Sequence, residues 1–278
     1  MGIATLLGRP QGFFIPYRYA AHVRQAEASR PDSEIARQFA AKEPAFAAWL
    51  AALAPFTAEF ARIGTAPPPA PRWDQDWFPR LDGAMAWAMV AIHKPAQIIE
   101  IGSGHSTRFL AHAAARHSPA TEITTIDPAP RAKLAGLPIT RLTMRLQDAL
   151  REKTAPLFEE LGPGDILFVD SSHILMPGTD VDLLLNQIVP VLAEGVLVHV
   201  HDIFLPDPYP AAWHWRGYNE QQALAPLILC GAFDPLFSSH YVQSRMGAAL
   251  AQSAACTLPL PAGAYETSLW LRKAATPL

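Results

Sequence analysis

Apolar residues near the N-terminus of the chain recur at helical spacing. They are Phe46, Trp49, Leu50, Leu53, Phe56, Phe60 and Ile63. Steps of three and four residues predict one buried helical face. Pro55 is expected to break or kink this segment, and Gly64 is a candidate C-cap. A second helical pattern follows at residues 81–93.

A proline-rich segment separates these helices from the remainder of the chain. Residues 67–71 read Pro-Pro-Pro-Ala-Pro, which is typical of a polyproline II spacer. We therefore expect an N-terminal helical extension with its linker at residues 1–71 and one main domain at residues 72–278.

From residue 97 onward, short apolar runs alternate with helical patterns. The runs predict strands at residues 97–101, 122–127, 140–146, 164–170, 196–202, 237–242 and 268–271, the last two as an antiparallel pair. Apolar strands separated by helices are typical of a parallel sheet covered on both faces. The expected fold is a doubly wound, Rossmann-like α/β sheet, mostly parallel with an antiparallel last strand, and with the helical extension.

Composition excludes several classes of protein. Half of the 278 residues are hydrophobic and the net charge is −3, which excludes global disorder and argues against nucleic acid as a partner. Cys230 and Cys256 make no disulfide framework or zinc cluster, so we expect a reducing, cytoplasmic setting. Residues 1–18 show no signal peptide, and the longest apolar stretch, 188–205, contains charged residues and does not predict a membrane span.

The first predicted strand ends in a loop that contains two glycines. Residues 100–107 read Glu-Ile-Gly-Ser-Gly-His-Ser-Thr, and Ser106 can cap the helix that follows. Small residues let a ligand approach the backbone, and a helix N-terminus offers free N–H groups to an anion. Asp127 ends the next strand, where a carboxylate can accept both hydroxyls of a ribose. The loop therefore predicts a nucleotide cofactor, NAD or S-adenosylmethionine.

Two residues of this loop favour S-adenosylmethionine. Thr107 stands where the NAD-binding loop needs a third glycine or an alanine. Glu100 brings a negative charge, which repels a pyrophosphate and suits a ligand that carries an amine and a sulfonium.

The order of the strand-end motifs resembles that of class I S-adenosylmethionine-dependent methyltransferases. The matching segments, within residues 78–273, are 100–107, 125–127, 147–149, 168–173, 200–202 and 268–272. The His201-Asp202 ending is similar to that of small-molecule methyltransferases related to the catechol and antibiotic O-methyltransferases. The resemblance implies methyl transfer to a small-molecule acceptor, most often to a hydroxyl oxygen.

The resemblance also implies roles for single residues. The expected cofactor-binding residues are Glu100, Gly102, Ser103 and Gly104 at the methionine portion, Ser106 at its carboxylate, Asp127 at the ribose, and Asp148 with Ala149 at the adenine. The expected catalytic residues are Asp170, His173, His201 and Asp202, with His173 or His201 as the base.

A divalent metal is a further expectation at the acceptor end. In metal-dependent relatives, the corresponding strand ends supply oxygen ligands to magnesium, so Asp170, His201 and Asp202 are candidate ligands. Because magnesium prefers oxygen, His201 leaves a softer ion, or no metal with histidine as the base, equally open.

Three other functions remain open on the sequence. They are an NAD-dependent oxidoreductase, a non-catalytic binding protein that retains the cofactor fold, and a metal-dependent hydrolase suggested by the histidines. A membrane is not an expected partner, and the apolar helical extension is a candidate contact of a homodimer.

Overall fold

The computed structural model describes residues 7–9, 12–13, 15–20, 33–152 and 156–275. The chain divides into two compact units, Met1–Arg30 and Pro31–Leu278. The described residues of the first unit include a turn in which the N–H of Ala20 donates to the carbonyl of Tyr17. Much of the expected extension before residue 33 lies outside the described residues.

Helices and strands alternate along the second unit. Its helices are α1 (Ser33–Ala51), α2 (Thr57–Phe60), α3 (Arg80–His93), α4 (His105–His117), α5 (Leu146–Arg151), α6 (Pro156–Glu159), α7 (Asp180–Leu183), α8 (Glu220–Leu229), α9 (Ser239–Arg245) and α10 (Gly247–Ala251). Its strands are β1 (Gln97–Ile101), β2 (Glu122–Ile126), β3 (Thr140–Leu142), β4 (Ile166–Val169), β5 (Leu197–Val200), β6 (Phe233–Ser238) and β7 (Leu269–Lys273). In the part of the chain described, no helix is long and apolar enough to cross a membrane.

The strands of the described chain form one seven-stranded sheet. Its order is β3-β2-β1-β4-β5-β7-β6. β1 to β5 pair in parallel, and β7 runs antiparallel to both of its neighbours. β4 and β5 are buried at every position, as expected for strands covered on both faces. The predicted Rossmann-like sheet is confirmed, together with its antiparallel strand.

Backbone hydrogen bonds continue past the strands and align their carboxyl ends. The N–H of Gly102 donates to Ile126 at 3.0 Å, and the N–H of Asp170 donates to Ile101 at 2.8 Å. The N–H of His201 donates to Val169 at 2.9 Å. The residues that follow β1, β4 and β5 therefore lie side by side at one edge of the sheet. The chain crosses from β2 and β3 on one side of β1 to β4 on the other, and such a switch point is where α/β sheets bind ligands.

The helical face predicted between residues 46 and 63 is present. Phe46, Leu50 and Leu53 are buried, and α1 packs against β6. Pro55 lies in a 3₁₀ turn after α1, as its missing N–H predicts. Gly64 has a φ of +93° and donates its N–H to Pro71. This helical segment lies in the same compact unit as the sheet.

Two predicted strand boundaries are wrong. The strand expected at 237–242 ends at Ser238, because the Ser238 hydroxyl accepts the N–H of Tyr241 and caps α9. The strand expected at 140–146 ends at Leu142, and α5 begins at Leu146. In both places a helix start overrides an apolar run.

Candidate active site

The loop after β1 requires a glycine at its first turn. Gly102 has a φ of +78°, and a Cβ at this position would lie 2.0 Å from the carbonyl oxygen of Asp170. An L side chain is therefore excluded by both conformation and space. The absence of a side chain lets the end of β1 pass directly against the end of β4.

Gly104, two residues later, borders open space. Its φ of 178° is extended, and a Cβ there would meet no atom within 4 Å. A ligand can therefore approach the backbone closely at the start of α4.

Glu100 is fully buried beneath this loop. The hydroxyls of Ser106 and Thr107 each donate to one of its carboxylate oxygens at 2.6 Å. Burial raises the pKa of Glu100 to about 8, although these two hydrogen bonds act against the rise. The carboxyl is therefore largely protonated at neutral pH, so the charge repulsion that the sequence suggested against a pyrophosphate is weak before a ligand binds.

The expected helix cap at Ser106 is wrong. α4 begins at His105 with Gly104 as its N-cap residue, and the N–H of Gly104 donates to the Thr107 hydroxyl at 2.9 Å. The Ser106 hydroxyl donates its proton to Glu100. In this arrangement Ser106 does not have that proton free for the carboxylate of a cofactor.

Asp127 joins the loop to the end of β2. One of its oxygens accepts the N–H and the hydroxyl of Ser103, at 2.7 and 3.0 Å, and the other accepts the N–H of Ala129 at 2.7 Å. With about two acceptor sites on each oxygen, the oxygen bonded to Ala129 keeps one site free. The carboxylate is thus fixed beside the loop, in the place expected for a ribose contact.

Asp148 and Ala149, expected at the adenine, face different surroundings. Asp148 pairs with Arg145 at 2.8 Å and Arg151 at 3.2 Å, and the hydrogen bond from Arg145 lowers its pKa most. Ala149 is buried on the same helix, α5. The adenine role of this pair remains an expectation.

The ends of β4 and β5 bring all four expected catalytic residues together. His173 is buried, and its Nδ1 lies 2.9 Å from Glu220. Its Nε2 lies 3.4 Å from Asp170 and 3.5 Å from Asp202. His173 therefore bridges both strand-end carboxylates to α8.

His201 occupies the other side of the same group. Its Nδ1 faces Asp170 at 3.7 Å and Asp202 at 3.6 Å. Its Nε2 faces Asp82 at 3.4 Å and the Thr267 hydroxyl at 3.4 Å. We call Asp82, Asp170, His173, His201, Asp202, Glu220 and Thr267 the acceptor cluster.

Charge pairing controls protonation within the acceptor cluster. Burial alone lowers the pKa of His173 and of His201, but the facing carboxylates outweigh it and raise both pKa values well above the usual range. Burial likewise raises the pKa of Asp170, but the two imidazoles outweigh it and lower that pKa far below its usual range. The acceptor cluster therefore favours an ionised Asp170 that faces protonated imidazole rings.

Two members of the acceptor cluster adopt left-handed backbone conformations. His173 has a φ of +60° and Asp202 a φ of +55°, values that residues other than glycine seldom adopt. The His173 backbone is held by Asn219, whose N–H donates to its carbonyl at 3.1 Å, and by the Ser171 hydroxyl at 3.2 Å. Such strain is concentrated at functional sites, where the surrounding structure compensates for it.

A cavity of about 210 Å³ opens beside the acceptor cluster. It is lined by Asp76, Trp77, Arg131, Asp170, His201, Asp202, Trp213, Arg216, Gly263, Ala264 and Tyr265. His173 is not among these lining residues. A bound molecule would therefore contact His201 and Asp170 directly, and His173 through them.

The metal expectation does not match this geometry. Among residues 33–152 and 156–275, no three or more His, Cys, Asp or Glu side chains are arranged to hold a metal ion. The oxygens of Asp170 and Asp202 instead face imidazole nitrogens at 3.4–3.7 Å. In this arrangement the carboxylates are paired with imidazole rings, and we assign no divalent ion to them.

The sequence missed Asp82, Glu220 and Thr267. Asp82 is an acid within an otherwise apolar helical pattern, and such a residue is a sequence signal for a buried polar role. Its carboxylate accepts hydrogen bonds from the N–H groups of Thr267 and Ser268 at 3.1 and 2.9 Å. Glu220 is the first residue of α8 and is buried against His173. No pattern around Thr267 indicated a role.

His199 on β5 is a core residue. It is fully buried and stacks on Phe168 with a ring-centre distance of 3.7 Å. Its Nε2 lies within hydrogen-bond distance of the Ser268 hydroxyl, at 2.8 Å.

Comparison with protein families finds one match in the centre of the chain. Residues 99–203 match the family described as a methyltransferase domain. This range contains the loop, Asp127, Asp148 and the expected catalytic residues. No curated protein matches the chain.

Solved structures similar to this chain include three methyltransferases. The Podospora anserina methyltransferase PaMTH1, solved with S-adenosylhomocysteine (SAH), is 18% identical, with 95% of this chain and 100% of that chain covered and a TM-score of 0.45. A putative O-methyltransferase from Klebsiella pneumoniae is 14% identical, with 81% of this chain and 90% of that chain covered and a TM-score of 0.43. The O-methyltransferase from Bacillus cereus in complex with SAH is 14% identical, with 79% of this chain and 90% of that chain covered and a TM-score of 0.43.

The family match agrees with the resemblance seen in the strand-end motifs. The match begins within β1 and ends just after β5, so it includes the loop after β1 and the residues that follow β4 and β5. Residues 99–203 are therefore similar to a methyltransferase domain.

Proposed function

We propose that the enzyme transfers a methyl group from S-adenosylmethionine to a hydroxyl oxygen of a small molecule in the cavity beside the acceptor cluster. The observation that carries this proposal is the contact between Gly102 and the carbonyl of Asp170. This contact makes the loop at residues 100–107, which we call the cofactor loop, an immediate neighbour of the acceptor cluster. Methyl transfer needs this proximity, because donor and acceptor must meet in line.

On the cofactor side, we assign binding to residues at the ends of β1 and β2 and to α5. They are Glu100, Gly102, Ser103, Gly104, Ser106, Asp127, Asp148 and Ala149. The bound cofactor supplies a methyl group activated by its sulfonium. Asp127 is already oriented by three hydrogen bonds, and its remaining acceptor site can take a ribose hydroxyl without rearranging the loop.

On the acceptor side, we assign proton removal to the neutral form of His201, which its raised pKa makes the minor form near neutral pH. It lines the cavity, and Asp170 and Asp202 orient its Nδ1. Positioned proton transfer is the chemical help that a hydroxyl acceptor needs. His173 supports both carboxylates from behind and is a positioning residue. No step is assigned to a metal, because among the described residues no three His, Cys, Asp or Glu side chains are arranged to hold one.

Isothermal titration of the protein with S-adenosylmethionine, SAH and NAD tests the proposal. We expect micromolar-range binding of the first two and no heat with NAD. Asp127→Ala should weaken SAH binding, since each hydrogen bond to a charged acceptor contributes about 1.5–3 kcal/mol. Heat with NAD and none with SAH would replace the methyltransferase with an oxidoreductase.

A further inference from the structure

We propose, on the basis of the methyl-transfer function above, that the acceptor is a planar hydroxy acid and that Arg216 binds its carboxylate. The hydroxyl would then meet His201 and Asp170 in the same cavity. The proposal goes beyond the reaction class to the chemical class of the substrate.

Arg216 is placed to meet a ligand. It is the last residue of the aromatic 3₁₀ turn Ala211–Arg216, which precedes α8, and it lines the cavity with His201 and Asp170. Its guanidinium lies 4.1 Å from the ring centre of Trp213, and Nη1 donates to the Tyr218 hydroxyl at 3.1 Å. These contacts fix the guanidinium plane and leave other donors free.

The charge of Arg216 is not matched by a carboxylate. Within the described chain no Asp or Glu oxygen forms an ion pair with it, whereas Arg80, Arg116 and Arg245 each pair with an acid. Its Nε is buried and has no hydrogen-bond partner. A buried donor without a partner is costly. The arrangement is therefore incomplete without an anion, and a guanidinium binds a carboxylate through paired N–H groups.

The walls of the cavity define the shape of the ligand. Trp77, Trp213 and Tyr265 contribute aromatic surfaces, and Arg131 lies 4.8 Å from the Trp77 ring centre as a second cation. Aromatic walls favour a flat ligand, which they contact by stacking. Because Asp76, Asp170 and Asp202 also line the cavity, an anionic group is favoured only beside the arginines.

The probes are hydroxybenzoic acids and the phenols that lack their carboxylate. Each is titrated into SAH-saturated protein, and kcat and KM are measured with S-adenosylmethionine. We expect the acids to bind wild type about 10–100-fold more tightly than the phenols, the range of a charge-assisted hydrogen bond. Arg216→Gln should remove this preference by raising the Kd and KM of the acids, with the phenols and kcat little changed.

Arg116→Gln is the matched control, because Arg116 is exposed and pairs with Glu59 outside the cavity. It should retain the preference for acids. Equal binding of acids and phenols, or no binding of any acid to SAH-saturated wild type, overturns the inference while SAH binding upholds the methyltransferase. A loss of SAH affinity or of thermal stability in Arg216→Gln equal to its loss for acids would assign Arg216 a structural role instead. Absence of SAH binding by wild type would refute the proposed function itself.

Discussion

The cofactor loop and the acceptor cluster meet at one edge of the sheet but are assembled differently. In the loop, Glu100 bonds to Ser106 and Thr107, its neighbours along the chain. In the acceptor cluster, His201 faces Asp82 and His173 faces Glu220, residues brought from distant helices. The loop is therefore held by contacts between residues close in sequence. The acceptor cluster is an ionic network whose members come together only when the whole domain has folded.

Replacing Gly102 should have the largest effect, because it lies where the two regions touch. In Gly102→Ala the new Cβ would overlap the Asp170 carbonyl, and φ would remain positive. We expect a loss of at least about 4 kcal/mol in the free energy of unfolding, the range of severe single substitutions. Urea unfolding followed by circular dichroism measures it.

Gly104→Ala is the matched control for this loop. Its Cβ meets no protein atom within 4 Å, so stability should change by about 1 kcal/mol or less. SAH affinity should nevertheless fall, because the Cβ enters the space expected for the ligand. If Gly102→Ala is as stable as Gly104→Ala, the close approach of β1 to β4 is wrong.

His201→Asn tests the acceptor cluster alone. If His201 removes the acceptor proton, turnover should fall by about 10²–10⁴-fold while SAH affinity is retained. Steady-state kinetics and titration measure the two effects separately. A chelator should leave wild-type turnover unchanged, because the carboxylates already face imidazole nitrogens. Inactivation by the chelator, with rescue by a divalent ion, would make His201 a metal ligand.

The same contrast explains what the sequence could predict. The loop was found because its signal lies within residues 100–107, between an apolar strand and a helix. The strand ends identified Asp170, His201 and Asp202, since parallel strands end at one edge. Asp82 and Glu220 could not be assigned, because their roles depend on how α3 and α8 pack onto that edge. The expected cap at Ser106 is wrong for a similar reason, because the Ser106 hydroxyl donates its hydrogen bond to the buried Glu100.

Glu220→Gln should weaken the acceptor cluster in a pH-dependent way. Breaking a buried ion pair costs about 3 kcal/mol, and the Glu220–His173 pair is almost fully buried. The pKa of His173 is raised in the folded protein, so the charged pair stabilises fully below the unfolded histidine pKa, about 6.5. That contribution disappears as pH rises through the folded pKa.

Urea unfolding of wild type and Glu220→Gln at pH 6 and in the alkaline range measures this dependence. The difference in free energy of unfolding should be largest at pH 6 and narrow at high pH. Asp234→Asn is the control, because Asp234 forms partly exposed pairs with Lys42 and Arg272 and should change the free energy of unfolding by only about 1 kcal/mol. A difference that widens with pH would mean that His173 is neutral in the folded protein.

The smallest expected effect is a proton released when the cofactor binds. The pKa of Glu100 is about 8 in the free protein, so its carboxyl is mostly protonated at pH 7. A cation beside it favours the ionised form and lowers that pKa. S-adenosylmethionine, which carries a sulfonium, should therefore release up to one proton per molecule bound at pH 7. Titration in buffers with different ionisation enthalpies measures the number released.

SAH provides the matched comparison, because it differs from S-adenosylmethionine by the charged methyl group. It should release fewer protons at pH 7, and Glu100→Gln should abolish the difference between the two ligands. Well above pH 8 the carboxyl is already ionised, so neither ligand should release a proton from it. Equal proton release by both ligands at pH 7 would show that Glu100 does not sense the sulfonium. The charge complementarity that favours this cofactor over NAD would then have to come from Asp127 or from Asp170 across the Gly102 contact.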